Sequence, residues 1–345
     1  MNSAAPQLQA MQKLQTGIPG LDLVARGGLP QGRTTLVAGT AGSAKTVFAA
    51  QFLAAGILQF EEAGVFVTFE EYPEDIRKNM AGFGWDIPRW EQEGRWAFVD
   101  ASARPEDEHV VAGAYDLDAL MARVDAAIRR VGARRVSLDS VSAILTRFEP
   151  DLIRGELFRI GAALKAAGVT VVMTAERTED YGAIARFGVE EFVADNVIIL
   201  RNVLEDEKRR RTLEILKFRG TDHQKGEYPF TIQPDEGLIL IPLSAMELKQ
   251  SSSSVRITSG SAELDRMCGG GFFRDSIILV SGATGTGKTL TVTEFLAGGV
   301  AAGERCLLFA FEESRDQLFR NAIGWGVNFE KMESEGKLKV VCEYP

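Results

Sequence analysis

Gly282-Ala283-Thr284-Gly285-Thr286-Gly287-Lys288-Thr289 reads G-x-x-x-x-G-K-T, and Gly39-Thr40-Ala41-Gly42-Ser43-Ala44-Lys45-Thr46 is a near-copy whose lysine lies 243 positions earlier. Small residues at this spacing let backbone N–H groups close around phosphates, the lysine neutralises charge, and the threonine hydroxyl meets Mg²⁺. A helix that starts at the lysine points its positive end at the same phosphates. The candidate ATP-binding residues are therefore Gly39, Thr40, Gly42, Ser43, Ala44, Lys45, Thr46 and Val47, and, in the second copy, Thr284, Gly285, Thr286, Gly287, Lys288, Thr289 and Leu290. Thr46 and Thr289 are candidate metal ligands, and the chain carries two nucleotide-binding loops.

Acidic residues follow apolar runs at two other places. Arg135-Val136-Ser137-Leu138-Asp139 ends in a carboxylate, the arrangement that holds Mg²⁺ beside a phosphate loop, directly or through water. Glu70 and Glu71 follow Val67-Thr68-Phe69, and a carboxylate near a γ-phosphate can orient and deprotonate an attacking water. An acidic turn opening a helix explains the same pair, but its return as Glu312-Glu313 favours catalysis. In Lys217-Phe218-Arg219-Gly220-Thr221-Asp222-His223, alternation puts Lys217 and Arg219 on one face of a strand. Paired cations can stabilise a transferring phosphoryl group; from spacing alone, a solvated strand edge is the simpler reading. Lys208-Arg209-Arg210-Arg211 follows Glu205-Asp206-Glu207 and reads as a solvated hairpin tip of mixed charge. Trp85, Trp90 and Trp96, interleaved with acidic residues, read as packing groups.

These groups need a scaffold, and alternating apolar runs supply one. Thr34–Ala38, Val65–Phe69, Val136–Leu138 and Val169–Met173 read as buried strands, and Val47–Ile57, Leu117–Val131 and Gly155–Ala167 as helices. Asn196–Val203 and Thr212–Phe218, joined by Leu204–Arg211, read as a hairpin. The fold class expected is α/β, a parallel sheet flanked by helices that carries the P-loop of an NTPase. The repeat extends past the loops: Thr16-Gly17, Leu21-Asp22 and Gly27-Gly28 return as Ser259-Gly260, Leu264-Asp265 and Gly270-Gly271, Gly84-Trp85 as Gly324-Trp325, and Glu93-Gly94 as Glu335-Gly336. Constant order means a duplicated domain with an incomplete second copy. The expected organisation is a tail at 1–15, a first domain at 16–243, a serine-rich linker at 244–255 and the start of a second domain at 256–345. In that second domain, strands are expected near 277–280 and 307–311.

At 345 residues and 45% apolar composition, two domains with sizeable cores are possible. A formal charge of −9 disfavours sequence-independent binding to nucleic acid or acidic membranes. Three scattered cysteines, two histidines and the lack of a long apolar run fit a cytoplasmic protein without disulfides, histidine metal sites or membrane spans.

The sequence resembles the KaiC family, the double-RecA-domain ATPases of the cyanobacterial circadian clock and its bacterial relatives. The resemblance runs from Thr16 to Pro345, with VFVTFEE at 65–71, ARRVSLDSVSAI at 133–144, IARFGVEEFVADNVIILRNVLE at 184–205, RRRTLEILKFRGT at 209–221 and GATGTGKTL at 282–290. It implies a homohexamer of two stacked tiers with ATP and Mg²⁺ between neighbouring subunits. The first tier would be a slow ATPase, with Glu70 the catalytic carboxylate and Glu71 assisting. The second would be a serine/threonine autokinase and autophosphatase, with Glu312 and Glu313 as the matching pair, Glu312 also Mg²⁺-associated, and Trp325 lining the nucleotide site. Lys217, Phe218, Arg219, Thr221 and His223 match residues that reach the neighbour's nucleotide. A KaiB-like partner is implied at the acidic segment 103–116, and a KaiA-like partner only for a complete form.

The sequence departs from the family pattern at several points. Ala44 replaces the last glycine of the first loop, at an expected cost of about 1 kcal/mol if the position needs positive φ. Gly82 stands where the best-known members have a nucleotide-contacting serine. The counterparts of Asp139, of the trans cations and of the phosphoacceptors fall beyond Pro345, so autophosphorylation at the family sites is not expected of this polypeptide. A RecA-like DNA recombinase or helicase is the alternative ATPase, disfavoured by the acidic balance and the lack of a basic, aromatic-rich DNA loop.

Overall fold

Apolar runs rich in β-branched residues make the sheet that carries the first loop. The computed structural model describes residues 11–102, 117–146, 148–188, 190–243 and 252–343, in two units, Met1–Glu247 and Leu248–Pro345. Segment 103–116 and most of the expected linker, residues 244–251, lie outside the described residues.

In the first unit one nine-stranded sheet runs, edge to edge, Gly237–Leu240, Glu227–Gln233, Lys208–Phe218, Asn196–Glu205, Thr34–Gly39, Thr170–Glu176, Arg135–Asp139, Gly64–Thr68 and Trp96–Asp100. From Asn196–Glu205 to Trp96–Asp100 neighbouring strands are parallel; the remainder is antiparallel. The fold is thus α/β with a mainly parallel sheet. Successive residues of the loop strand feed opposite faces: Val37 joins one apolar cluster with Phe48, Phe52 and Phe66, while Leu36 and Ala38 join another with Val124, Leu138 and Leu157. Helix Lys45–Phe60 covers the first face, buried continuously from Phe48 to Ile57, and Leu117–Val131 and Pro150–Ala166 supply the second.

Arg135 is fully buried at the start of its strand. Its guanidinium donates to Glu62 Oε2 (2.7 Å) and to the carbonyls of Gln15 (2.9 Å), Thr16 (3.4 Å) and Phe52 (3.1 Å), and lies 4.9 and 5.0 Å from the Phe52 and Phe60 rings. Gly56 makes the space: a Cβ there would fall 2.7 Å from Arg135 Cδ. Trp85, Trp90 and Trp96 are buried packing groups, as their setting predicts.

Some expectations change. Lys13–Leu14 pairs with Leu29–Pro30, so the folded unit starts a few residues before 16. The hairpin turns at Asp206-Glu207 alone, both at positive φ (43° and 69°), and Lys208–Arg211 is strand rather than tip. A two-residue turn of this hand matches the twist of the strands it joins, which is why the ladder runs so far. Trp96–Asp100, Glu227–Gln233 and Gly237–Leu240 are additional strands.

The second unit repeats the first locally. Arg256–Ile257 pairs with Phe272–Phe273, as Lys13–Leu14 pairs with Leu29–Pro30. Asp22 and Asp265 each accept hydrogen bonds from the chain just before them, at Thr16 and at Ser259. Cys306–Ala310 pairs in parallel with Leu338–Cys342. The strand expected near 277–280 is not formed, and Ile277 and Leu279 are 95% and 88% exposed. A strand is defined by its partners, and the two that flank Thr34–Gly39 have no counterparts among residues 252–343.

Candidate functional site

The loop strand ends at Gly39, and the chain reverses through Gly42 (φ 74°) and Ala44 (φ 73°, ψ 28°) into the helix beginning at Lys45. The loop's compactness is set by contacts: a Cβ on Gly39 would lie 2.2 Å from Ser43 Oγ, and one on Gly282 would lie 2.5 Å from Thr286 Oγ1. Ser43 is buried with its hydroxyl unpartnered, and Val47 packs partly into the core. Lys45 Nζ donates to the Gly39 (3.0 Å) and Thr40 (3.1 Å) carbonyls, folding the ammonium over the loop. Lys288 does the same with Gly282 (2.9 Å) and Ala283 (3.0 Å). Gly287 (φ 89°) matches Ala44; a Cβ built on Gly287 meets nothing within 4 Å, so an alanine there would cost backbone conformation alone, whereas Ala44 packs partly against the core.

Carboxylates close the facing strands. Asp139, 7% exposed, accepts hydrogen bonds from the hydroxyls of Thr174 and Thr46; burial raises its carboxyl above the usual range, and those bonds and Lys45 oppose the rise. Glu70 and Glu71 follow Gly64–Thr68, the next strand. Burial raises both, helped for Glu70 by Glu176 and Asp139 and for Glu71 by Asp139. Burial lowers Lys45 from the usual lysine value, opposed by Asp139, Glu176 and Glu70. Asn79 Nδ2 donates to Glu71 at 3.3 Å, and Asn321 Nδ2 to Glu313 at 3.3 Å; Thr289 Oγ1 reaches Glu313 at 3.4 Å. Lys45, Thr46, Asp139, Glu70 and Glu71 are thus brought together. The second unit reproduces the loop and the Glu312-Glu313 turn, with Thr284, Gly285 and Thr286 in the loop and Leu290 in the first turn of helix Lys288–Ala301. Trp325 follows helix Arg315–Gly324 and is 38% exposed, whereas Trp85 is covered by Gly237 of an edge strand.

The basic motif lies elsewhere. Asn196 pairs with Thr35 and Lys217 with Val197, whereas Leu200 pairs with Gly39, so Lys217 sits towards the end of the sheet opposite the loop. Lys217 Nζ donates to the Glu191 (3.1 Å) and Ala194 (3.0 Å) carbonyls, and Arg219 lies 3.5 Å from Asp195. Phe218 meets the edge of His223 at 5.4 Å, with Thr221 in the bend between them. Both cations thus meet the stretch Glu191–Asp195, and Arg219 lies just past the strand's end.

Sequence reasoning missed Glu176, Asp180 and Arg186. Glu176 ends a strand that runs three residues beyond the expected Met173, which is the same signal that singled out Asp139. Asp180 accepts from Thr40 Oγ1 (2.8 Å) and the Asn202 N–H (3.1 Å), tying the loop to the hairpin, and Arg211 Nε reaches Gly42 O at 3.3 Å. Among the described residues no group of three or more His, Cys, Asp or Glu could hold a metal alone, and no helix is long and apolar enough to cross a membrane.

A strand, a lysine-closed loop, a helix N-terminus and facing carboxylates at the carboxyl ends of parallel strands define a P-loop nucleotide-binding protein. The family model "ATPase: KaiC" matches residues 14–245 and again 257–344, and the chain belongs to the KaiC ATPase family. That membership implies ATP binding. The chain is 67% identical over 340 residues to a circadian clock protein KaiC3 of Synechocystis sp., covering 98% of this chain and 67% of that protein. It is 58% identical over 338 residues to a circadian clock oscillator protein KaiC of Synechococcus elongatus, covering 98% and 65%, and 58% identical over 340 residues to one of Parathermosynechococcus lividus, covering 98% and 62%. The chain thus spans about two thirds of the length of these relatives.

Proposed function

We propose that the first unit, Met1–Glu247, hydrolyses ATP slowly as part of a circadian clock protein. The observation that carries this reading is the convergence of Lys45, Thr46, Asp139, Glu70 and Glu71 on one loop at adjoining strand ends. Lys45 holds the β- and γ-phosphates, and Glu70 takes the proton of the attacking water with Glu71 assisting. The Thr46 hydroxyl and Asp139 carboxylate are hard oxygen donors already in contact, a set that suits Mg²⁺ shared with phosphates. When bound, the ion would neutralise phosphate charge; the protein's part is to fix geometry and exclude water.

Lys217 and Arg219 point to assembly. In one chain they sit away from the loop, so they serve a nucleotide only across a subunit boundary, in a homohexamer. A KaiB-like partner at residues 103–116, and in a longer form a KaiA-like partner and Ser/Thr autokinase chemistry using Glu312 and Glu313, extend the same reading. The test is turnover by Glu70→Gln/Glu71→Gln. Loss of general-base help lowers rates by about 10²–10⁴-fold, with ATP binding retained. A double variant that hydrolyses ATP at the parent rate removes the assignment.

A further inference from the structure

Glu176 has no part in the reading above, yet it stands where that chemistry would occur. It is the last residue of the strand beside the loop strand, directly in register with Gly39. Its N–H donates to Ser142 Oγ at 2.9 Å, its carboxylate is 3.5 Å from Arg186 Nη1, and its carbonyl accepts from the Arg186 N–H at 3.0 Å. Glu70 and Glu176 line one cleft of about 390 Å³, with Ser142, Thr146 and Arg186. The strand order places Asp139 between them, so the carboxyl ends of three successive strands present carboxylates to Lys45.

We propose that Glu176 is a further catalytic residue of the first unit, forming with Glu70 a carboxylate pair that holds the attacking water, and that Arg186 is a positioning residue that fixes the Glu176 carboxylate. A water between two acceptors donates one proton to each, which directs a lone pair of its oxygen at phosphorus. Attack forms the new O–P bond as the bond to the leaving ADP oxygen breaks, and Glu70 receives the water's proton. Glu176 orients the water and takes no proton from it. The Arg186 guanidinium forms an ion pair with the Glu176 carboxylate while its N–H holds the Glu176 carbonyl, so one residue ties down both the side chain and the main chain. The inference rests on Glu70 being the base.

The full-length chain is assayed with Mg-ATP, and ATP affinity is measured separately with a fluorescent ATP analogue. Misplacing a reacting group by about 1 Å costs on the order of 10²-fold, so Glu176→Gln is expected to lower kcat by about that factor with analogue affinity and Tm unchanged. Arg186→Ala is expected to lower kcat on its own and to add nothing in the Glu176→Gln background, since it acts through Glu176. Ser142→Ala, which removes the acceptor of the Glu176 N–H, gives a milder version of the same defect and serves if Glu176→Gln does not fold. Unchanged kcat in Glu176→Gln, a loss of analogue affinity at constant kcat, or fully additive effects of Glu176→Gln and Arg186→Ala each overturn the proposal. Glu70→Gln/Glu71→Gln is run alongside. If only that control keeps the parent rate, the base assignment fails and the carboxylate pair fails with it; if only the Glu176 variant keeps it, the pair fails while the base assignment stands.

Discussion

Lys217 is the cross-strand partner of Val197, three residues along its strand from Leu200, which pairs with the loop's Gly39. That spacing, along a ladder rising roughly 3.3 Å per residue, separates the cations from their own loop by about 10 Å of sheet. On the proposed function, Lys217 and Arg219 act on a neighbouring chain's nucleotide. Mixing an inactive Glu70→Gln/Glu71→Gln chain with an Arg219→Ala chain should restore activity at hybrid interfaces. Subunit exchange shown by fluorescence transfer, without regained turnover, would exclude trans action.

Ala44 holds φ 73° where the second loop has Gly287 at 89°. A left-handed L-residue costs about 1–2 kcal/mol, and a Cβ meets no obstacle at the second position. Ala44→Gly is expected to stabilise the first unit by about 1 kcal/mol, less the entropy of an added glycine. Gly287→Ala should weaken the second by a similar amount. Urea unfolding curves of the two variants check both signs, and a destabilised Ala44→Gly would show that the alanine's packing outweighs its backbone cost.

Burial, then Glu176 and Asp139, raise the Glu70 carboxyl, and Lys45 opposes them. A base works only when ionised, so kcat/KM should rise with pH through a pKa above the ordinary glutamate range. Removing the Glu176 charge lowers that pKa, and the residual activity of Glu176→Gln should show its acid limb at lower pH. Stability runs the other way. Where Glu70, Glu71 and Asp139 have raised pKa values, the native state binds more protons than the unfolded one. The nucleotide-free protein should lose stability as pH rises from ordinary carboxylate values to the raised ones, and then level off. An acid limb that stays put in Glu176→Gln would remove the coupling.

Arg135 is the opposite case, a buried charge whose partners are all in place. Removing one member of a buried pair costs about 3–5 kcal/mol, so Arg135→Ala should sharply lower the urea midpoint of the first unit. Arg135→Lys keeps the charge but loses the planar fork, and should fall between. Tryptophan fluorescence reports the transition, because three of the four tryptophans, Trp85, Trp90 and Trp96, lie in this unit and Trp325→Phe removes the signal of the other. A midpoint for Arg135→Ala within error of the parent would mean that Glu62 and the carbonyls are satisfied without the guanidinium.

Elements with a strong apolar period were legible in the sequence. Leu117–Val131 has the expected bounds, and Thr34–Gly39 and helix Lys45–Phe60 differ by a few residues. The loops and Asp139 were legible because phosphate chemistry constrains residue type and spacing together. Glu176 was not, because Val169–Met173 looked like a complete strand and Thr174-Ala175, which link it to Glu176, break the run of large apolar residues. The turn at Asp206-Glu207 was hidden inside a charge run, and Arg135 could not be foreseen as buried, since arginine is seldom fully buried without partners that only the tertiary fold supplies. Ile277–Val280 failed in the other direction: its residues suit a strand, but its ladder partners are missing from residues 252–343.

That unpaired run decides what the second unit should do in isolation. Lys288 is posed like Lys45, and Thr289 faces Glu313, so the loop is built to receive phosphates. A buried carboxylate equivalent to Asp139 is not present among residues 252–343, and phosphoryl transfer depends almost wholly on such positioning and charge stabilisation. Incubation with γ-labelled ATP should therefore leave this polypeptide unlabelled; stoichiometric label on serine or threonine would show that kinase chemistry survives. Ile277 and Leu279, 95% and 88% exposed beside half-exposed Ile278, also form an apolar edge open to association. Ile277→Lys with Leu279→Lys should reduce concentration-dependent light scattering while leaving Mg-ATP turnover by the first unit in place. Scattering equal to that of the parent would mean that self-association, where it occurs, uses another surface.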